Sequence, residues 1–105
     1  MTISEILVLS NKKENYIKLF NDNLVNEAYV FGSVVTDKFN NQSDIDFIIN
    51  FQNISDPVEL DEKWWNIYYG LKDIFKRNID IISENNLKNE YFISEIQKTK
   101  VKIYG

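Results

Sequence analysis

The eight residues from Asp44 to Phe51, DIDFIINF, constrain the fold more than any other part of the chain. From Ile45 onward the run leaves almost no polar face, which is typical of a central strand in a sheet covered on both sides. Two carboxylates, Asp44 and Asp46, stand where this strand begins. Asp is depleted in strands, and a charge beside a core is unfavourable unless something pairs with it. The sequence therefore predicts a central strand whose acidic end requires a partner of opposite charge.

Short strands and helices alternate along the chain. The predicted strands are Ala28–Phe31, Asp44–Phe51, Asn78–Ser83 and a short edge strand over residues 100–105. The predicted helices lie within residues 1–25, from Asp56 to Lys76 and from Leu87 to Gln97. Asn11 is placed as a cap in the first, and Asp56 caps the second with Pro57 at the first helical position. This alternation, without internal repeat or linker, predicts a single layered α/β or α+β domain over residues 1–105.

The long predicted helix divides its aromatic residues between two faces. Residues expected in the core recur at helical spacing; they are Leu60, Trp64, Ile67, Tyr68, Leu71, Ile74 and Phe75. Trp65 and Tyr69 then turn outward and, together with Lys63, form a candidate docking surface for a partner. In the last helix the residues expected to face inward are Leu87, Tyr91, Ile93 and Ile96.

The composition removes several kinds of chemistry. The chain has no cysteine and no histidine, which excludes disulfides, thiolate nucleophiles, Cys/His zinc sites and imidazole acid-base catalysis. The net charge is −4, from 12 basic and 16 acidic side chains, whereas a general nucleic-acid binder would carry a clustered basic face. Because the sequence has no secretory signal and no apolar run of about 18 residues, we expect a cytoplasmic protein that binds no membrane and no nucleic acid directly.

A second short motif precedes the predicted central strand. Gly32 ends the strand before it, and Ser33 follows, so that backbone N–H groups and a hydroxyl are available to a phosphate. Asp44 and Asp46 project from one face of their strand, and Asp80 lies in the strand expected beside them.

Carboxylates in such an arrangement need a cation. Two of them ~5 Å apart repel by about 3 kcal/mol at an effective dielectric of roughly 20. Mg²⁺ prefers oxygen ligands and keeps coordination positions open for substrate phosphates. The three Asp residues and the Gly-Ser pair therefore predict metal-dependent phosphoryl or nucleotidyl transfer.

The spacing of these residues resembles the signature of the minimal nucleotidyltransferases (MNT) of the polymerase-β-like superfamily. In that signature Gly-Ser is followed by ten residues and then Asp-x-Asp. The matching positions are Phe31, Gly32, Ser33, Ser43, Asp44, Asp46 and, on the later strand, Asp80. The tail YFISEIQKTKVKIYG looks like the closing helix and terminal Ile-Tyr of the small MNT proteins that are encoded beside HEPN partners as toxin–antitoxin pairs. The resemblance covers essentially the whole chain.

The resemblance implies the polymerase-β-like fold, a small mixed sheet flanked by helices, and Mg²⁺-dependent transfer of AMP from ATP to a hydroxyl. For HEPN-paired members the acceptor is a tyrosine of the toxin, so that the enzyme acts as an antitoxin. It also implies that Asp44, Asp46 and Asp80 are catalytic and bind two Mg²⁺ ions, with Asp80 as the proton acceptor. The implied nucleotide-binding residues are Gly32, Ser33, Ser43 and Lys38.

The sequence departs from the family soon after the Gly-Ser pair. Members commonly carry a small residue, Arg and Gly where this chain has Val35, Thr36 and Asp37. Lys38 could replace the lost positive charge, whereas Asp37 would repel a triphosphate. This departure leaves open a non-catalytic antitoxin that neutralises its HEPN partner by binding alone. A nucleotidyltransferase acting on a small molecule is a further alternative, and both homo-oligomers and hetero-oligomers stay open.

Overall fold

The structure, a computed structural model, describes residues 11–31, 44–83 and 89–105. Within these ranges the helices are α1 (Lys13–Asp22), α2 (Pro57–Phe75) and α3 (Glu90–Thr99). The strands are β1 (Val25–Phe31), β2 (Ile45–Phe51), β3 (Ile79–Ser83) and β4 (Val101–Tyr104). They form one sheet in the order β3-β2-β1-β4, with β2 parallel to β3 and β1 antiparallel to both β2 and β4. The predicted mixed sheet with flanking helices is confirmed.

The central position of β2 is confirmed by its burial. Phe47 and Ile49 belong to the main core, while Ile48, which points to the other side, packs with Phe31 and Ile96 in a second cluster. All three β2 residues are at most 1% exposed. The apolar run therefore lacks a polar face because both sides of this strand are covered.

α1 and α2 cover one face of the sheet. Ile67, Leu71 and Phe75 of α2 pack with Tyr16 and Phe20 of α1 in the main core. The strand residues of this core are Val25, Ala28, Val30, Ile45, Phe47, Ile49 and Ile79. α3 lies against the opposite face, where Ile96 contacts the second cluster. The sheet thus separates the α1 and α2 layer from α3.

The ends of the helices follow local signals in one case and not in another. The Asp56 carboxylate accepts a hydrogen bond of 3.0 Å from the Val58 N–H, and Pro57 occupies the first helical position, so the predicted start of α2 is confirmed. The predicted cap at Asn11 is wrong, because α1 begins at Lys13 after Lys12 and no side chain caps it. β1 begins earlier than predicted, at Val25, directly after a turn in which Leu24 has φ +58°.

Two predicted core residues are exposed instead. Tyr91 is 76% exposed, since α3 begins at Glu90 and Tyr91 lies about 140° around the helix from the buried Ile96. Leu60 is 37% exposed in the first turn of α2, so the core stripe of that helix starts later than predicted. Leu87, also expected to face inward, lies outside the described residues. No helix in the described part of the chain combines the length and the apolar character needed to cross a bilayer.

Candidate functional site

Asp46 and Asp80 lie next to each other on neighbouring strands. β2 and β3 run parallel, and the register places the Cα atoms of these two residues opposite one another. The Ile45 N–H donates a 3.2 Å hydrogen bond to the carbonyl of Asn78, which fixes the two strand starts side by side. Parallel strands are about 4.8 Å apart, and residues in register point to the same face. The sequence prediction that Asp80 would stand beside the Asp-x-Asp motif is therefore confirmed.

Both carboxylates open into a pocket of about 400 Å³ between the sheet and α3. Its lining residues are Phe31, Asp46, Asp80, Ile82, Glu95, Ile96 and Thr99. Phe31 is the β1 residue paired with Asp46, so the last described residue of β1 contributes to the pocket as well. The pocket combines acidic groups with apolar walls from Phe31, Ile82 and Ile96, an arrangement suited to a ligand that has a polar group on an apolar body.

The carboxylate of Asp46 is partly buried and lies near two other carboxylates, those of Asp80 and Asp44. Partial burial, followed by the charges of Asp80 and Asp44, raises the pKa of Asp46 to about 6. Asp44 is exposed, precedes β2 by one residue and lies outside the lining of the pocket. The other two residues singled out from the sequence thus both act on Asp46, but the structure brings only Asp46 and Asp80 to the pocket itself.

Glu95 and Thr99 of α3 line the pocket and were not identified from the sequence. The Thr99 hydroxyl donates a 3.0 Å hydrogen bond to the carbonyl of Glu95, one turn earlier. The carboxylate of Glu95 lies 3.8 Å from Lys98 Nζ; the Lys98 side chain is 70% exposed and that of Glu95 is 48% exposed. Ile96 was expected to face inward. Glu95 and Thr99 could have been predicted from it as lining residues only if the packing of α3 on the sheet had been known.

The donor set fits a hard divalent cation that shares its coordination with a substrate. The pocket offers carboxylate oxygens, and the raised pKa of Asp46 reflects negative charge that a cation would neutralise. Among residues 11–31, 44–83 and 89–105, no three Asp, Glu, Cys or His side chains are grouped so that they could hold a metal ion. Mg²⁺ is commonly bound by one or two carboxylates, with water and substrate phosphates completing the octahedron. Asp46 and Asp80 meet that requirement, whereas an all-protein metal cage is not present in the described chain.

Residues 14–105 match the sequence model of the polymerase-β nucleotidyltransferase domain. The chain belongs to the polymerase-β nucleotidyltransferase family. The matched range includes the Gly-Ser pair, all three Asp residues, α2, α3 and all of α1 except Lys13. No curated protein sequence matches this nucleotidyltransferase significantly.

Solved structures similar to this nucleotidyltransferase share its fold at low sequence identity. One, named as a candidate minimal nucleotidyltransferase, has a TM-score of 0.71 and 19% identity, with 91% of this chain and 93% of that chain covered. A toxin–antitoxin complex with AMP-PNP contains a chain with a TM-score of 0.66 and 19% identity, covering 89% of this chain and 73% of that one.

The complex of a tri-AMPylated HEPN toxin from Shewanella oneidensis with its MNT antitoxin contains a chain with a TM-score of 0.61 and 17% identity, covering 91% of this chain and 71% of that chain. The structural neighbours of this nucleotidyltransferase thus include MNT antitoxin–HEPN toxin complexes, and the likeness establishes the fold.

Part of the family motif falls outside the described residues. Gly32, Ser33, Lys38 and Ser43, the nucleotide-binding residues expected from the sequence, all lie within residues 32–43. The departure at Thr36 and Asp37 lies there too. The structure therefore describes the positions of Asp44, Asp46 and Asp80, whereas their metal-binding role and the phosphate-binding half of the site stay predictions from the sequence.

Proposed function

We propose that this protein is a Mg²⁺-dependent nucleotidyltransferase that transfers AMP from ATP to a tyrosine hydroxyl of a HEPN toxin and thereby acts as an antitoxin. The observation that carries the proposal is the position of Asp46 and Asp80, in register on parallel strands and facing one pocket. The family's nucleotidyltransferase domain supports the reaction type. Neighbours that are toxin–antitoxin complexes, one with AMP-PNP and one with a tri-AMPylated toxin, support the nucleotide and the partner.

In this proposal each residue has a separate task. Asp44, Asp46 and Asp80 would hold two Mg²⁺ ions, with Asp46 and Asp80 facing the pocket and Asp44 beside it. Bound there, the ions would neutralise charge on the triphosphate and lower the pKa of the attacking hydroxyl. Gly32 and Ser33 hold the triphosphate through backbone N–H groups and the hydroxyl, with Ser43 and Lys38 beside them.

The proton of the acceptor hydroxyl passes to a carboxylate oxygen of Asp80, which faces the pocket. The acceptor oxygen forms a bond to the α-phosphorus, the bond from that phosphorus to the bridging oxygen breaks, and pyrophosphate leaves.

The ionisation of Asp46 suits this role at neutral pH. Because its pKa is about 6, the carboxylate is mostly ionised near pH 7, and a cation would complete the ionisation. Asp80 lies on the neighbouring strand, so the same charge that raises the pKa of Asp46 also attracts the metal. The chemistry takes place on the α3 side of the sheet and in the cytoplasm, where a HEPN toxin would be met.

A mass measurement tests the proposal directly. A HEPN-domain protein is incubated with Mg²⁺, ATP and either the native chain or its Asp44→Ala, Asp46→Ala double variant, and the intact mass of the HEPN protein is determined. The expected result is a gain of one or more AMP units with the native chain only. If neither protein adds AMP to a HEPN protein that both bind, the transferase proposal is wrong.

The second candidate function is neutralisation by binding alone. Asp37 in place of the family's usual residue favours it, because a carboxylate there would repel a triphosphate. The same experiment separates the two functions: equal inhibition of the HEPN protein by the native chain and the double variant, without mass gain, identifies a binding antitoxin. Retention of Asp44, Asp46 and Asp80 favours the transferase.

A further inference from the structure

Four aromatic side chains of α2 form one continuous array. The ring centroids of Trp64 and Trp65 are 4.8 Å apart, those of Trp65 and Tyr69 are 5.6 Å apart and stacked, and those of Tyr68 and Tyr69 are 5.3 Å apart. Trp64 and Tyr68 stack at 5.5 Å with nearly parallel planes. Each ring is therefore held by its neighbours, so that few rotamers would be lost if a partner covered the array.

The outer half of this array is exposed together with further apolar surface. Trp65 is 49% exposed, Tyr69 is 61% exposed, and Val58, seven residues before Trp65, is 73% exposed. Spacings of seven and four residues place these three side chains on one side of the helix. Of the five large apolar side chains that are exposed in the described chain, four belong to α2. A contiguous exposed patch of this kind, rich in Trp and Tyr, marks a protein interaction site.

Carboxylates flank the same side of the helix. Asp61 and Glu62 are exposed, lie between Val58 and Trp65 in the sequence, and make no ion pair with another residue of the described ranges. Lys63, which the sequence suggested as part of this surface, is partly buried and lies about 160° around the helix from Trp65. The exposed Lys72, seven residues after Trp65, lies on the same side with its Nζ 5.9 Å from the centre of the Tyr68 ring. The surface formed by Val58, Asp61, Glu62, Trp65 and Tyr69, called the α2 face below, is therefore apolar and acidic, with the basic Lys72 at its C-terminal end.

We propose that the α2 face is the docking surface for the HEPN partner, through a helix of that partner whose contact side combines apolar side chains with Arg or Lys. The charge of the α2 face selects the basic side chains, since guanidinium and ammonium groups pair with Asp61 and Glu62 and stack on Trp65 and Tyr69. That the docked helix belongs to a HEPN protein rests on the proposed function, whereas the apolar and basic side chains expected on that helix follow from the α2 face.

The α2 face and the acidic pocket lie on opposite sides of the sheet. The inward side of α2 packs on the core that contains Phe47, whereas Asp46, the residue before it, points to the side covered by α3. A partner docked on the α2 face does not cover the pocket, so the acceptor tyrosine enters the pocket from a segment or a second copy of the partner that lies on the α3 side. Substitutions on the α2 face should therefore weaken binding of the partner without altering the pocket in which nucleotidyl transfer is proposed.

The test measures the dissociation constant of a purified HEPN-domain protein for the native chain and for variants by titration calorimetry. Trp65→Ala combined with Tyr69→Ala is expected to weaken binding at least about 30-fold, as for two central aromatic contacts. The matched control is Tyr91→Ala, an aromatic 76% exposed on α3, which should leave affinity within about twofold.

A second variant, which changes only charged residues, keeps the test valid if the aromatic double variant does not fold. Asp61→Lys combined with Glu62→Lys alters only exposed side chains and should also weaken binding, while Asp61→Asn with Glu62→Gln should weaken it less. Unchanged affinity in both the aromatic and the charge-reversed variants would overturn the docking surface and leave the transferase proposal intact. Absence of binding by the native chain would overturn both proposals. A native chain that is dimeric by light scattering, and monomeric after the aromatic substitutions, would assign the α2 face to self-association instead.

Discussion

Replacing Asp46 by Asn is expected to stabilise the folded protein at neutral pH when no divalent cation is present. Burial and two neighbouring carboxylates raise the pKa of Asp46 from 3.8 to about 6, so the folded state binds this proton more tightly than the unfolded state does. The free energy of unfolding therefore falls as the pH rises from about 4 to about 6, and the full penalty remains at pH 7. Asn removes the charge with little change of shape.

The size of the effect follows from the difference in pKa. A difference of about 2 units corresponds to about 3 kcal/mol, and screening by solvent around this partly exposed side chain reduces the expected gain to roughly 1–2 kcal/mol. Because the carboxylate is protonated in both states near pH 3.5, the variant and the native chain should differ by less than about 0.5 kcal/mol there.

Urea unfolding, followed through far-UV circular dichroism in the presence of EDTA, measures these free energies at pH 3.5, 5 and 7. Asp61→Asn is the matched control, since it removes the same kind of charge from an exposed position on α2 and should change stability by less than about 0.5 kcal/mol at every pH. Repeating the pH 7 measurement with millimolar Mg²⁺ should stabilise the native chain but not Asp46→Asn. If Asp46→Asn is no more stable than the native chain at pH 7, the inference that the ionised Asp46 carboxylate destabilises the folded protein is wrong.

Three further substitutions test the fold and the pocket. Asp56→Ala removes the cap that accepts the Val58 N–H and should lower the free energy of unfolding by about 1 kcal/mol in urea titrations. Asn23→Ala should cost about 1–3 kcal/mol in the same assay, because the buried Asn23 joins α1 to α2 by accepting a 3.0 Å hydrogen bond from the side chain of Asn66. Thr99→Trp should obstruct the pocket and reduce AMP transfer at least about tenfold by mass spectrometry with little change in stability, whereas Gln97→Trp, exposed on the same helix, should not.

The central strand and the pair formed by Asp46 and Asp80 were predictable because they depend on the local apolar pattern and on the pairing of two strands that are consecutive in the sequence. The apolar run after Asp44 specifies a strand with two covered faces, and sequential strands commonly lie side by side, so Asp80 could be expected beside Asp46. The start of α2 was predictable because Asp56 and Pro57 act on the backbone next to them.

The remaining features depend on packing between elements that are distant in sequence. Nothing local shows that α3 packs on the sheet face formed by Phe31, Ile48 and Ile82, so Glu95 and Thr99 could not be assigned to the pocket. Tyr91 was expected in the core as one of the inward-facing residues of a helix that begins at Leu87, but its direction depends on where the helix begins and which side meets the sheet. The early start of β1 was missed because Asn26 and Glu27 interrupt its apolar pattern.

The pocket is assembled from β1, β2, β3 and α3, with lining residues that extend from Phe31 to Thr99. During synthesis the acidic pair can form as soon as β3 has left the ribosome, but the wall supplied by α3 follows later. A nascent chain that ends before Glu90 would present exposed carboxylates without a pocket for an acceptor. The pocket can therefore be completed only after Thr99 has left the ribosome.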